Sequence, residues 1–132
     1  MIRSFRYRLK SNQQIFEKAK TWMELCCNLY NVALQEKIQH YRKGKKKLSC
    51  YEQYGEIPEL RKSFPEYSSI DVQLLRDVLN RLDRSFEGFF KRLKTGEKSG
   101  FPRFRSVDRL FRFSWIDILS FIYFSIRSYF IV

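Results

Sequence analysis

The sequence predicts an α+β chain: a mainly helical insertion, two long helices and a short one, set between strands of a small and incomplete β-sheet. Three observations predict it. Residues 2–9, IRSFRYRL, alternate with the period of a strand. Two long stretches repeat apolar residues at helical spacing. The stretch GEKSGFPRF, Gly96 to Phe104, then turns the chain back into alternating aromatic and basic residues.

In the first strand Arg3, Phe5, Tyr7 and Leu9 share one parity, and Arg6 and Arg8 the other. Ser11, with Gln14 three residues on, has the spacing of a capping box and opens the first long helix. Its apolar positions are Ile15, Ala19, Trp22, Cys26, Leu29 or Tyr30, and Ala33, and it runs to about Tyr41. RKGKKK follows, where cations suit the negative end of a helix dipole. Ser49 and Glu52 repeat the capping spacing and open a short helix, and Pro58 and Pro65 limit regular structure after it. The second long helix is expected to start near Ser68 or Ser69. Its apolar stripe is Val72, Leu75, Leu79, Leu82, Phe86, Phe89 and Leu93, suited to packing on another helix. It ends before Gly96; Gly100 and Pro102 then direct FPRFR back beside residues 2–9, with Phe101 or Phe104 buried and Arg103 facing outward. The resulting divisions are 1–10, first strand; 11–95, helical lobe; 96–112, return turn and strand; and 113–132, an atypical hydrophobic tail.

Charge narrows the function. Lys and Arg number 26 against 14 Asp and Glu, a formal +12 on 132 residues, which calls for a polyanionic partner. Aromatics make up 17% of the residues; most are expected in the core, and those beside Arg can serve as stacking platforms for bases. Cys26, Cys27 and Cys50 are odd in number and hold no CxxC pair, and His40 is the only histidine, so neither a disulfide framework nor a zinc site is expected. They read as small buried hydrophobes of a reducing cytoplasm. The N-terminus shows no apolar run of signal-peptide length.

The segments FRYRLKSNQQ, LCCNLYNVALQEKI, KKLSCYEQYGEIPELRK and LLRDVLNRLDRSFEGFFKRLKTGEKSGFPRFRS, in this order and spacing over roughly residues 1 to 109, resemble the N-terminal portion of TnpB. TnpB is the transposon-encoded protein formerly called OrfB transposase, a relative of type V CRISPR nucleases. The resemblance implies an RNA-guided nuclease's wedge-type strands and helical recognition lobe. It implies that Arg3, Arg6, Tyr7 and Arg8 lie on the first wedge strand and Arg103, Phe104 and Arg105 on the returning one. Tyr51, Gln73 and Arg76 would lie where the lobe approaches DNA, and Lys91, Arg92, Lys94 and Lys98 would add nucleic-acid contacts. Arg and Lys neutralise phosphates, and Gln or Arg can read base edges.

A full TnpB continues into a RuvC-like nuclease domain with three acidic metal ligands and a zinc ribbon. This chain continues instead as LFRFSWIDILSFIYFSIRSYFIV, whose one acid is Asp117, and one carboxylate cannot hold a two-metal site. The expectation is truncation by a frameshift near Val107 to Leu110, with tail residues collapsing onto the open sheet edge. Membrane insertion is the second reading of residues 113–132, against which Asp117 and Arg127 count.

The expected function is that of a truncated TnpB-like protein, cytoplasmic, binding guide RNA from the transposon end and target DNA. It is not an enzyme as it stands and has no cofactor of its own, Mg²⁺ and Zn²⁺ belonging to the missing domains, and no small-molecule substrate. The alternatives are one half of a split RNA-guided endonuclease, whose nuclease half is a separate partner chain, and a small basic membrane-associated protein.

Overall fold

The computed structural model describes residues 13–44 and 46–111. They form α1 (Gln13–Gly44), α2 (Cys50–Tyr54), α3 (Ile57–Ser63), a 3₁₀ turn (Pro65–Ser69), α4 (Val72–Lys94) and α5 (Val107–Phe111). The expected first strand and the tail 113–132 lie outside the described residues.

α1 and α4 pack side by side and run parallel. Trp22 and Leu25 meet Ser69 and Tyr67 of the 3₁₀ turn that precedes α4, and further along Lys37 meets Asp83 and Tyr41 meets Phe89, so residue numbers rise together along both helices. Both therefore finish at the same end. α2, α3 and the 3₁₀ turn form the return path that parallel packing requires. The seam is apolar: Cys26, Tyr30, Ala33, Leu34 and Ile38 from α1 are buried with Leu75, Val78, Leu79, Leu82, Phe86 and Phe89 from α4. Five of the seven apolar positions expected on α4 are buried; Val72 is partly buried and Leu93 is exposed, while Val78 joins the core.

One ion pair sits inside this seam. Lys37 is 2% exposed; its Nζ donates to Asp83 Oδ1 at 2.9 Å and to the Leu48 carbonyl at 2.6 Å. Both hydrogen bonds are required, because a buried ammonium without them carries a large desolvation cost. The bonds also tie α1, α4 and the segment before α2 into a fixed arrangement.

Local chemistry sets the helix boundaries. Ser49 Oγ accepts from the Glu52 amide and the Glu52 carboxylate accepts from the Ser49 amide, the capping box expected for α2. α4 starts later than expected. Pro65–Ser69 is a 3₁₀ turn, and the N-cap is Asp71, whose carboxylate accepts from the Gln73 amide at 2.8 Å. At its other end Gly96 has φ +78°. Gly96 N–H donates to the Leu93 carbonyl and Glu97 N–H to the Arg92 carbonyl, which together make a Schellman cap that favours glycine.

The α+β expectation is corrected. Among the described residues there is no strand, and the fold is mainly helical. The returning strand expected within 96–112 is the part that the structure overturns. Residues 101–106 carry no regular structure, and α1, not a neighbouring strand, supplies their hydrogen bonds. Asn31 Nδ2 donates to the Arg105 carbonyl at 2.9 Å, and Asn31 Oδ1 accepts from the Arg105 amide at 2.9 Å. One carboxamide thus satisfies both backbone groups of one residue, as a ladder partner would. The Cys27 thiol adds a bond to the same carbonyl at 3.1 Å. Phe101 packs against Tyr41 and Phe89, while Phe104 is 53% exposed. α5 then returns to α1 with Leu110 buried. Among the described residues no helix is long and apolar enough to cross a membrane.

Candidate nucleic-acid interface

The buried stripe of α4 leaves the opposite arc to solvent. At 100° per residue, Gln73, Arg76, Asn80, Arg84, Glu87, Lys91 and Lys94 fall within roughly one quarter-turn of the helix. All of them are exposed except Asn80, which is half-buried. From Gln73 to Lys94 the arc runs roughly 32 Å at 1.5 Å per residue, close to one turn of duplex DNA. Glu87 is its one acid, and Lys47 Nζ lies 3.6 Å from Glu87 Oε1. The arc is therefore polar, and its charge is predominantly positive.

Four of the expected site residues, Gln73, Arg76, Lys91 and Lys94, share this arc. Tyr51 borders it from α2: it is 77% exposed, its ring meets Tyr54 edge-on at 5.6 Å, and the Arg76 guanidinium lies 5.9 Å from the Tyr54 ring. Arg92 points elsewhere, its Nε donating to Ser99 Oγ at 2.9 Å. Lys98 follows the Schellman cap. Arg103, Phe104 and Arg105 occupy the extended segment on α1, away from the α4 arc. Arg3, Arg6, Tyr7 and Arg8 lie outside the described residues. Of the expected residues, the structure thus groups Gln73, Arg76, Lys91 and Lys94 on α4 and Arg103, Phe104 and Arg105 on the segment beside α1, and it leaves Arg92 outside both groups.

The arc leads to the end where both helices finish. The windows 42–47 and 91–98 hold nine Lys or Arg and one acid, Glu97. Two helix C-termini contribute about −0.5 charge each, far short of neutralising those cations. Among the described residues Lys43, Lys46, Lys91, Lys94 and Lys98 form no ion pair with a described acid. Arg42 lies 5.5 Å from the Phe101 ring, which keeps its charge at the same end. From the sequence alone, RKGKKK is a run of cations at the negative end of a helix dipole, and Arg84 is not among the expected site residues. What joins these cations to Lys91 and Lys94 is the parallel packing, and no local pattern carries that.

The thiols beneath the extended segment are chemically quiet. Burial pushes Cys26 up to about 12, reinforced by neighbouring Cys27. Cys27 is raised by burial too, against the lowering effect of its hydrogen bond from Asn31. Both stay protonated at neutral pH, as structural thiols do. Among the described residues no group of three or more His, Cys, Asp or Glu is placed to hold a metal ion.

Residues 1–46 match a family model described as a helix-turn-helix domain, of the OrfB/IS605 type. The match supports an OrfB/TnpB-type N-terminal region and points to a DNA-binding, transposase-associated protein. The described part of the matched segment, from residue 13 to 44, is a single helix without an internal turn. No curated protein and no solved structure matches the chain.

Proposed function

We propose that this chain, with its OrfB/TnpB-type N-terminal region, is a nucleic-acid-binding protein that grips the phosphate backbone along the exposed arc of α4 and the basic end that it leads to. The observation that carries the reading is the arc itself: Arg76, Arg84, Lys91 and Lys94 on one face, running into Arg42, Lys43, Lys46 and Lys98. Cations spaced along a helix face neutralise successive phosphates and release counterions. Gln73, at the start of the same arc, has a side chain able to pair with a base edge. Guide RNA from the transposon end and target DNA are the polyanions that the reading assigns, with tight register set by positioning contacts rather than by one recognition helix. The reading assigns the chain binding and no bond cleavage of its own.

The test is the salt dependence of duplex binding. The parent chain should lose affinity steeply as salt rises. Replacing Arg84, Lys91 and Lys94 by Gln should reduce the slope of log K against log salt by about 0.9 for each phosphate contact removed. Lys62→Gln, on exposed α3 away from the arc, serves as the control and should leave the slope unchanged. A triple variant with the parent's slope and affinity would remove α4 from the interface.

A further inference from the structure

We infer that the extended segment Arg103–Phe104–Arg105 is a stacking site for unpaired nucleotides, separate from the α4 arc. The inference rests on the nucleic-acid reading above and adds to it the class of ligand: single-stranded rather than duplex.

Phe104 is an apolar ring left in water on a backbone that is held on both sides. Before it, Phe101 is packed against Tyr41, Phe86 and Phe89. After it, the Arg105 backbone is fixed by both Asn31 bonds and by the Cys27 thiol, and Leu110 is buried. The segment is thus fixed where the ring projects, so little backbone order remains to be lost on binding.

The other exposed aromatics among the described residues differ in their surroundings. Phe16 is followed by Glu17, Tyr51 by Glu52, and Phe64 by Pro65 and Glu66. Phe104 alone of these has a cation on each side, and residues 101–106 contain no acid. Arg103 and Arg105 are exposed and make no ion pair with a described acid. Arg105 rests 5.7 Å from the Tyr30 ring, which holds its guanidinium beside the segment.

A π-face with flanking cations is the chemistry of single-strand recognition: the ring takes a base, and the cations take the phosphates on either side. A duplex offers no free base face to a protruding ring, because its bases are already stacked and paired. A protein partner of acidic character would also meet the arginines, but it would show no preference for an aromatic side chain over an aliphatic one at position 104.

The experiment uses the full chain with two probes, a fifteen-nucleotide oligo(dT) or oligo(U) single strand and a hairpin duplex, at fixed salt. Phe104→Ala should weaken single-strand binding on the order of ten-fold, the effect of losing one base–aromatic stack, and change duplex binding by less than two-fold. Phe104→Leu should behave like the alanine variant. Phe104→Trp should restore affinity, with indole fluorescence quenched on binding. Equal losses on both probes, a leucine variant as good as the parent, or an alanine variant with unchanged single-strand affinity would each overturn this site and leave the α4 interface standing. A parent chain that binds neither probe would overturn both readings.

Discussion

The two ends of the α1–α4 pair handle polar chemistry in opposite ways. At the end where α4 begins, residues 52–71 hold five acids and two cations, and several polar groups are used internally. Trp22 Nε1 donates to Ser69 Oγ, Tyr67 OH to the Leu25 carbonyl, and Arg61 Nη2 to the Ser68 carbonyl. Beside the connector, Glu56 is pushed up in pKa by desolvation and then by its hydrogen bond with Glu36. At the end where both helices finish, the cations outnumber the acids, and Lys43, Lys46, Lys91, Lys94 and Lys98 form no ion pair with a described acid. The first end closes the fold. The second accumulates like charge, and it is on this asymmetry that the proposed binding rests.

The comparison depends on the register between the helices, so the largest effect should come from breaking the pair that fixes it. Lys37→Met leaves buried Asp83 with only the more exposed Lys47 ammonium, 3.8 Å from Oδ2, and should cost about 3 kcal/mol in urea denaturation. Adding Asp83→Leu should recover much of that loss. A single variant as stable as the parent would show that Lys37 and Asp83 do not set the register.

Phe101 and Phe104 sharpen the contrast within one segment. Phe101 is half-buried in an aromatic cluster, so Phe101→Ala should cost roughly 2 kcal/mol, below the range for a fully buried ring. Phe104→Ala should change stability by less than about 0.5 kcal/mol. The reverse order in thermal melts would exchange their roles.

Asn31→Ala removes both side-chain bonds to Arg105 and should destabilise by about 1–2 kcal/mol. Hydrogen exchange should show the loss at the Arg105 amide, with α4 amides little changed. The two caps of α4 compare its ends at similar cost. Asp71→Ala should lose about 1 kcal/mol through the N-cap, and Gly96→Ala about 1–2 kcal/mol through its left-handed backbone. The measurement is the denaturation midpoint, and a neutral Gly96→Ala would contradict the Schellman geometry.

The smallest effect is absent at neutral pH. Cys26 and Cys27 have raised pKa values in the fold. Above the unfolded thiol pKa of 9.0 the unfolded chain therefore releases protons that the folded chain retains. Stability should fall as pH rises from 9 toward 12 and be insensitive to these thiols below 9. Thiol titration should find both unreactive until the chain is unfolded.

What could be read from the sequence was local. The Ser49–Glu52 cap, the end of α4 before Gly96, the buried stripe from Leu75 to Phe89 and the basic surplus all rest on interactions within a few residues or on composition. Sequence periodicity also separated buried from exposed positions on α4, so the arc containing Gln73, Arg76, Lys91 and Lys94 was implicit there. Lys37 left a signal that was missed: a lysine on the same arc as Ala33, Leu34 and Ile38 cannot lie on a solvated face. The strand was misread because alternation in FPRFR reports extended backbone and says nothing of what satisfies it. Its partner, Asn31, is 74 residues away on a helix, and Asp83 is 46 residues from Lys37. Capping and periodicity are fixed by chain geometry, so the sequence by itself indicated α1, α2 and α4 and the buried face of α4, whereas α3, which begins at Ile57 with Pro58 in its first turn, and α5 within the expected return strand were not legible. Which buried polar groups meet, and which cations come to share one end, depends on the packing of distant segments, and only the tertiary structure decided it.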